Sequence, residues 1–199
     1  AAAGGVTVSL DSGEGIEGKG IATGSDGTDE LWNFENVRGS NDDDTITGND
    51  ASNTLKGLAG DDHIYLSAGR DVIDGGTNGI NGDTIDASNS SVAHTINLRD
   101  GQVFGDGFST VENIENVIGS DGKDTITGNN DKNTLRGGIS EDTIKGEGGD
   151  DFIYGGTQND TLSGGQGNDF LDGGSGTGDF ADYSDITTGG VTVDLSLVD

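Results

Sequence analysis

The sequence predicts an all-β fold, a solenoid in which short parallel strands stack coil upon coil, and three observations support this. A nine-residue unit recurs in two arrays, over 39–87 and 119–182. Of 199 residues, 39 are Gly, none is Pro, Cys or Met, and only 29% are hydrophobic, which is too few for a compact core. Acidic residues number 37 against 9 Lys and Arg, which gives a formal net charge of -28. Such a composition is typical of disordered chains, so a fold must come from the regular order of the residues.

Two positions of the unit keep their residue type through both arrays. Position 6 is Asp or Asn and position 8 is Ile or Leu in all ten regular units. The position-6 residues are Asp44, Asn53, Asp62, Asp71, Asp124, Asn133, Asp142, Asp151, Asp160 and Asp169, with Asp83 and Asp179 in the looser units that close the arrays. The position-8 residues are Ile46, Leu55, Ile64, Ile73, Ile126, Leu135, Ile144, Ile153, Leu162 and Leu171.

Each unit is predicted to form a turn followed by a short strand. Positions 1 to 6 are rich in Gly, Asn and Asp, which tolerate tight turns and left-handed backbone angles. Positions 7 to 9 alternate polar, apolar and polar, so that one side chain of each strand points inward. Two units then complete one flattened coil, whose interior is a column of Ile and Leu from each side.

Stacking brings the position-6 carboxylates of neighbouring coils together, so the predicted fold requires a cation between them. Such oxygen ligands suit Ca2+, which takes about 6–8 of them in flexible geometry. We therefore predict several calcium ions, held by the position-6 side chains and by carbonyl groups of the turns, and we expect the chain to fold when they bind. The glycines predicted to contribute are Gly57, Gly60, Gly75, Gly137, Gly146, Gly148, Gly155, Gly164 and Gly173.

The units GGQGNDFLD (Gly164 to Asp172) and GEGGDDFIY (Gly146 to Tyr154) resemble the GGxGxDxUx nonapeptide of repeats-in-toxin proteins, the hemolysin-type calcium-binding repeats. The resemblance implies a right-handed parallel β-roll, secretion by a type I system, and folding triggered by calcium outside the cell. Three positions depart from the pattern, since Asn53 and Asn133 replace the position-6 Asp and Leu66 replaces the first Gly. We expect weaker or missing ions at those turns.

The flanks of the arrays form a second, longer repeat. The two arrays are copies at an offset of 80 residues, and a VTVSL-like strand at 6–10 returns at 95–98 and 191–195. We divide the chain into flanking strands (1–38), the first array (39–87), an inter-array module (88–118), the second array (119–182) and the start of the next flanking module (183–199). The flanks are expected to continue the stack as longer coils that cap the arrays.

Aromatic residues concentrate in these flanks. Trp32, Phe34, Phe104 and Phe108 all lie there. Trp32 is predicted to be a core aromatic of a cap, with a place on a sugar-binding platform as the alternative. Whether the two arrays form one continuous roll or two rolls set at an angle is left open by the sequence.

Charge and composition exclude several classes of function. The negative charge disfavours nucleic acid and anionic membranes, and no apolar run approaches the ~20 residues that a spanning helix needs. His63 and His94, the only histidines, are expected at surface or strand positions rather than in zinc sites. Acidic pairs such as Asp150 and Asp151 recur from coil to coil, whereas a catalytic pair should be unique, so no enzyme is predicted.

The predicted function is that of a calcium-binding structural module in a larger exported protein such as an adhesin, S-layer protein, toxin or secreted enzyme. It would act as a secretion-linked folding unit or a rigid spacer, secreted or at the cell surface. Its expected partners are calcium ions and neighbouring repeats of a longer parent chain. The alternative is a calcium-scaffolded module that binds carbohydrate or a surface, with extracellular polysaccharide as the partner.

Overall fold

The computed structural model describes residues 4–10, 19–186 and 192, and all regular secondary structure in them is β. Apart from Thr192, the strand predicted at 191–195 lies outside these residues. The strands of the N-terminal half are β1 (Thr7–Ser9), β2 (Lys19–Gly24), β3 (Gly27–Trp32), β4 (Asn36–Arg38), β5 (Thr45–Thr47), β6 (Thr54–Gly60), β7 (His63–Tyr65), β8 (Val72–Asn78), β9 (Thr84–Asp86) and β10 (Thr95–Asn97). They are followed by β11 (Gln102–Phe104), β12 (Phe108–Glu112), β13 (Asn116–Ile118), β14 (Thr125–Thr127), β15 (Thr134–Gly138), β16 (Thr143–Lys145), β17 (Phe152–Thr157), β18 (Thr161–Ser163), β19 (Phe170–Ser175) and β20 (Phe180–Ala181).

The strands form two ten-stranded sheets, which confirms the predicted solenoid. The first sheet has the order β19-β17-β15-β13-β9-β7-β5-β1-β2-β3, and the second has the order β20-β18-β16-β14-β10-β11-β12-β8-β6-β4. Within the arrays, successive strands of a sheet pair in parallel, for example Leu135 with Ile153 and Ile153 with Leu171. The 18-residue spacing of these pairs confirms that two nonapeptide units complete one coil.

Both sheets run through both arrays without a break, so the arrays form one continuous roll. In the first sheet β9 of the first array pairs with β13, the last strand of the inter-array module, with Ile85 opposite Val117, and β13 pairs in turn with β15 of the second array. In the second sheet the strands β10, β11 and β12 lie between β8 and β14. The inter-array module therefore adds one strand, β13, to the first sheet and three strands to the second.

The flanking modules differ from the longer coils that we predicted. Strands β1, β2 and β3 form an antiparallel meander at the end of the first sheet, and β10, β11 and β12 form a second one within the second sheet. The chain reverses between β10 and β11 because Asn97 accepts a hydrogen bond from the Asp100 amide at 3.0 Å and Gly101 follows with a left-handed φ of 64°. This hairpin returns the chain to the same sheet before a coil can close.

The position-8 side chains form the core, as predicted. Every one except Leu171 is buried, and nine-residue spacing places them alternately in the two sheets. Each fully buried Ile or Leu stabilises the fold by roughly 1.5–3 kcal/mol relative to an exposed one. Val103, Val111 and Ile114 continue the same core through the inter-array module.

The prediction that Trp32 is a core aromatic is wrong. Its side chain is 48% exposed, and that of Phe34 is 55% exposed. Side chains alternate along a strand, and Leu31 is the one that packs against the core, which places Trp32 on the outer surface opposite Lys19 of β2. The aromatic residues of the flanks thus lie on the outside of the roll, and aliphatic residues fill its interior.

Candidate metal centres

Each regular position-6 residue lies directly before a strand. Ten position-6 side chains are at most 2% exposed: Asp44, Asn53, Asp62, Asp71, Asp83, Asp124, Asn133, Asp142, Asp151 and Asp160. Asp169 is half-buried, and Asp179 is exposed at the last coil that the structure describes. The fold therefore stacks acidic side chains in two buried columns, one at the entrance to each sheet.

One oxygen of each carboxylate joins neighbouring coils. The backbone amide of Asp124 donates to Oδ1 of Asp142 at 2.8 Å, and the amide of Asp142 donates to Oδ1 of Asp160 at the same distance. The same contact links Asn133 to Asp151 and Asp44 to Asp62 across the other column, at 2.8 Å each. These bonds fix the carboxylate planes, so the second oxygen of each points in a defined direction.

The second oxygen faces a space that only a glycine at position 1 leaves free. A Cβ on Gly137 would collide with Oδ2 of Asp142 and with the carbonyl oxygen of Gly155 on the next coil. The same pair of oxygens recurs beside three further glycines, with Asp62 and Gly75 at Gly57, Asp151 and Gly164 at Gly146, and Asp160 and Gly173 at Gly155. A carboxylate oxygen and a carbonyl oxygen from adjacent coils thus converge where position 1 lacks a side chain.

Five of these carboxylate oxygens have no partner. Oδ2 is buried without a hydrogen bond in Asp62, Asp83, Asp142, Asp151 and Asp160. An unpaired buried polar group costs about 1–3 kcal/mol, and more when it is charged. In the protein alone these oxygens are therefore unfavourable.

The pKa values of the same carboxyl groups reflect this. Burial raises the pKa of Asp83 and of Asp142 to about 7. It raises the pKa of Asp62 and of Asp151 to about 6. Neighbouring carboxylates contribute to the rise, since Asp124 and Asp160 on the adjacent coils both act on Asp142. Burial likewise raises the pKa of Asp71 and of Asp160.

This set of oxygens fits Ca2+. Calcium accepts carboxylate and carbonyl oxygens together and tolerates irregular geometry. Within 4–10 and 19–186, no group of three or more His, Asp or Glu side chains converges on one point. An ion at these turns would therefore take many of its ligands from backbone carbonyls, which suits calcium better than zinc.

The two histidines are engaged elsewhere. His63 lies in β7, and its Nε2 is 2.7 Å from Oδ2 of Asp86. His94 is buried directly before β10, and its Nδ1 is 2.7 Å from the Val92 carbonyl oxygen. The hydrogen bond from His63 keeps the pKa of Asp86 below its ordinary value although that carboxyl is buried.

Two of the predicted glycines, Gly60 and Gly148, do not lie beside a position-6 carboxylate oxygen. The carbonyl of Gly60 accepts a hydrogen bond from the Gly79 amide at 2.9 Å, and Gly148 forms an isolated parallel bridge with Gln166. Four other position-6 residues have no unpaired oxygen at the corresponding place. In each of their turns, a backbone amide of the same turn donates a hydrogen bond to that side-chain oxygen, which belongs to Asp44, Asn53, Asp124 or Asn133.

Two residues of the inter-array module, neither of which the nine-residue pattern predicts, complete the column of the first sheet. The amide of Asp83 donates to Oε2 of Glu115 at 2.9 Å, as position-6 amides donate to an Asp elsewhere. The carbonyl oxygen of Asn113 lies beside Gly75, where a glycine carbonyl lies in other coils. A signal was present, because Glu115 directly precedes strand β13 just as position-6 residues precede their strands.

The described part of the chain contains no helix that is long and apolar enough to cross a membrane.

In the comparison with known families, the model of the RTX calcium-binding nonapeptide repeat matches four times, over 34–55, 47–78, 112–144 and 145–179. These matches cover more than half of the chain and most of each array. Repeats of this family bind Ca2+. No curated protein matches the chain.

Proposed function

The chain belongs to the family of RTX calcium-binding nonapeptide repeats and is a calcium-binding structural module, and we propose that it is a folding unit of a larger exported protein. Such repeats are typical of exported proteins. In this proposal the chain leaves the cell unfolded, by a type I system, and folds when calcium enters its turns outside. The predicted division into arrays and flanking modules then describes parts of one roll.

The unpaired carboxylate oxygens carry the proposal. A cation beside each of the five buried Oδ2 atoms would give that oxygen the partner that it lacks. The same cation would reduce the electrostatic repulsion between neighbouring carboxylates. Calcium sites of extracellular modules bind with dissociation constants of about 10⁻⁴–10⁻³ M. Sites of that strength would be empty in the cytosol and filled outside, which would couple folding to export.

Ligands of these ions would be the position-6 carboxylates and the position-1 carbonyls. Asp62, Asp142, Asp151 and Asp160 would each supply Oδ2, and the carbonyls of Gly75, Gly155, Gly164 and Gly173 would supply the oxygen from the next coil. A cation there neutralises the pair of carboxylates on either side of it. The chain's own residues hold the coils in register, and the ion removes the repulsion between them.

Circular dichroism tests this function. In the presence of a chelator the whole chain should show little β-structure, and millimolar calcium should restore it. Magnesium serves as the control ion, because it demands near-octahedral geometry and gives up water reluctantly. Extensive β-structure in metal-free buffer at neutral pH would contradict the proposal.

We propose neighbouring repeats of a longer chain as a partner. Leu31 is the counterpart of Val111 at the 80-residue offset, and Asn33 shares with Asn113 a left-handed φ, 57° against 56°. Val111 is buried under Ile73 of β8, whereas β3, which contains Leu31, is the last strand of its sheet among the residues that the structure describes. A strand like β8 from another repeat would fit on β3 in the same register.

A second candidate function is the binding of carbohydrate or of a surface. Phe170 is 48% exposed on the outside of the first sheet, with ring centroids 6.0 Å from Phe152 and 5.7 Å from Tyr154. Arg136 lies over the Tyr154 ring at 4.2 Å. Such a row of ring faces suits sugar rings of an extracellular polysaccharide. A glycan array checks this: binding that is lost in Phe170→Ala and in Trp32→Ala would support it, and no binding to neutral or acidic glycans would remove it.

A further inference from the structure

Two kinds of turn in the arrays differ at position 2 of the unit. The first two units of each array, one full coil, carry Ser or Asn there: Ser40, Asn49, Ser120 and Asn129. The turns that contain an unpaired carboxylate oxygen carry Leu58, Gly76, Gly138, Glu147 or Gly156. We call the former closed turns and the latter open turns. The turn of Asp71 belongs to neither kind, because Ser67 at its position 2 donates to Oδ2 of Asp71 through its hydroxyl, at 3.3 Å.

In a closed turn, the backbone amide at position 2 donates a hydrogen bond to the position-6 side-chain oxygen that has no partner in an open turn. The Ser40 amide donates to Oδ2 of Asp44 at 2.5 Å, and the Ser120 amide donates to Oδ2 of Asp124 at 2.6 Å. Where position 6 is Asn, the bond goes to its carbonyl oxygen. It measures 2.8 Å from Asn49 to Asn53 and 2.9 Å from Asn129 to Asn133.

The side chain at position 2 holds the closed turn in this conformation. Its oxygen accepts a hydrogen bond from the amide two residues later, at 3.0 Å from Gly122 to Ser120 and at 2.8 Å from Asp131 to Asn129. Ser and Asn form such local turns readily, whereas Gly lacks the acceptor. The Ser120 hydroxyl also bonds to Asp124 Oδ1 at 2.8 Å.

In an open turn the backbone at position 2 is left-handed. The φ angles are 93° at Leu58, 76° at Glu147, 125° at Gly138 and 116° at Gly156. A positive φ is unfavourable for Leu and Glu. None of the four position-2 residues of the closed turns has a positive φ. The orientation of this one peptide group therefore separates a satisfied carboxylate from an unpaired one.

The glycine space itself does not distinguish the two kinds of turn. A Cβ on Gly119, in a closed turn, would meet the Gly137 carbonyl oxygen and Asp124 Oδ2, just as a Cβ on Gly137 meets the corresponding pair in an open turn. The difference is the amide, whose positive end points at the oxygen that a cation would need. A cation at a closed turn would have to displace that hydrogen bond.

We propose that the residue at position 2 decides which turns take calcium: the open turns bind it, and the closed turns of the first coil in each array form without it. This inference rests on the proposed function, because it concerns which of the same turns the ions occupy. Each array then begins with a metal-independent coil, one strand of which (β5 or β14) stacks on a meander strand (β1 or β10). The calcium-dependent coils follow on its other side.

The test counts the calcium ions bound to the whole chain by isothermal titration calorimetry. Ser120→Gly removes the hydroxyl and the local turn, so one additional ion is expected. Gly138→Ser introduces the residue of a closed turn into an open one, so one ion fewer is expected. Ser52→Gly is the matched control, because Ser52 is exposed at position 5 of a unit and the count should not change. Equal counts in the parent chain and in all three variants would overturn the inference.

Anomalous scattering from crystals grown with calcium gives a second readout that needs no variant. Ions are expected beside Asp62, Asp142, Asp151 and Asp160 and not beside Asp44 or Asp124. Ions at Asp44 and Asp124 would overturn the inference, even if Gly138→Ser failed to fold. A parent chain that binds no calcium would remove the proposed function as well, whereas a chain that binds calcium equally at both kinds of turn removes this inference alone.

Discussion

At Asp142 the two carboxylate oxygens have different roles. Oδ1 accepts the Asp124 amide of the preceding coil, and Oδ2 is buried without a partner. The first role requires only an acceptor, which an amide side chain can also provide. The second requires negative charge together with a cation. Substitutions at this residue can therefore separate the stability of the coil from the binding of metal.

Asp142→Ala and Asp151→Ala should each raise the calcium concentration at the midpoint of folding by about tenfold or more, because a charged ligand worth about 1.5–3 kcal/mol is lost. Asp29→Ala should leave the midpoint unchanged, since Asp29 is exposed in β3. Calcium titration followed by circular dichroism measures all three. Equal shifts in the three variants would contradict the assignment of the ligands.

Asp142→Asn sharpens this test. The side-chain oxygen of Asn can still accept the Asp124 amide, while the charge that repels Asp124 and Asp160 is gone. We expect more residual β-structure in chelator than in the parent chain, together with weaker calcium binding. If Asp142→Asn instead lost structure in chelator, repulsion between the carboxylates would not be what opposes folding.

Without metal, folding should depend on pH between about 4 and about 7. The pKa of Asp62, Asp83, Asp142 and Asp151 rises from an ordinary 3.8 to about 6 or 7 in the fold. A raised pKa means that the folded state binds protons more tightly, so stability is fully present below pH 3.8 and is lost as pH rises through the folded pKa. Circular dichroism in chelator should show β-structure increasing on acidification from pH 7 to pH 4. A signal that stays constant over this range would contradict the prediction.

The sequence predicts where the position-6 turns lie better than it predicts whether each turn is open or closed. Constant residue types at positions 6 and 8 are sufficient to place the carboxylates and the aliphatic core. The distinction between open and closed turns was missed, because it depends on the direction of one peptide group, which is set by local hydrogen bonds of Ser120 or Asn129. The role of Glu115 was missed because the inter-array module breaks the nine-residue period.

At the scale of the strand, one side chain of each nonapeptide points into the core. In β8, Ile73 is fully buried and the adjacent Val72 is 47% exposed. Alternation of side chains across a strand accounts for this contrast. The same pattern holds in the array strands other than β19, where Leu171 is half-buried, so nearly every nonapeptide adds one buried core side chain.

Ile73→Ala should lower the free energy of unfolding by about 2–4 kcal/mol in saturating calcium, because it leaves a cavity between stacked coils. Val72→Ala, in the same strand, should change it by about 0.5 kcal/mol or less. Urea unfolding at constant calcium measures both values. Similar losses in the two variants would mean that the column of position-8 side chains is not the core.

The two meanders have a strand arrangement that the alternation of polar and apolar residues does not predict. Period-two alternation predicts a strand in the flanks but does not distinguish a parallel coil from an antiparallel hairpin. Nor does it fix which face is inward, and this is why Trp32 was assigned to the core instead of Leu31. The hairpin depends on the turn at Asn97 to Gly101, whose geometry the alternation does not contain.

At the scale of the whole molecule, the two arrays are coupled through the first sheet. Strand β13 joins them, because it pairs with β9 on one side and with β15 on the other, and Ile85 and Val117 are both buried. Stacked repeats fold as neighbours that stabilise one another. A change in one array should therefore be felt in the other.

Trp32, the only tryptophan, reports on the N-terminal end of the roll. Its fluorescence should change at the same calcium concentration as the circular dichroism of the whole chain. Asp151→Ala, in the second array, should shift both midpoints together. A fluorescence midpoint that stays at the parent value while the dichroism midpoint moves would show that the arrays fold independently.

The two meanders lie in opposite sheets, β1 to β3 in the first and β10 to β12 in the second, and both sheets reach ten strands. A meander of three strands on one side of a flattened rod, where the other side has fewer strands, would act as a wedge and tilt the long axis. A second wedge on the opposite side tilts the axis back. A chain that places its insertions alternately in the two sheets can be extended by many copies while its long axis stays straight. Insertions that all lay in one sheet would instead bend the axis into an arc.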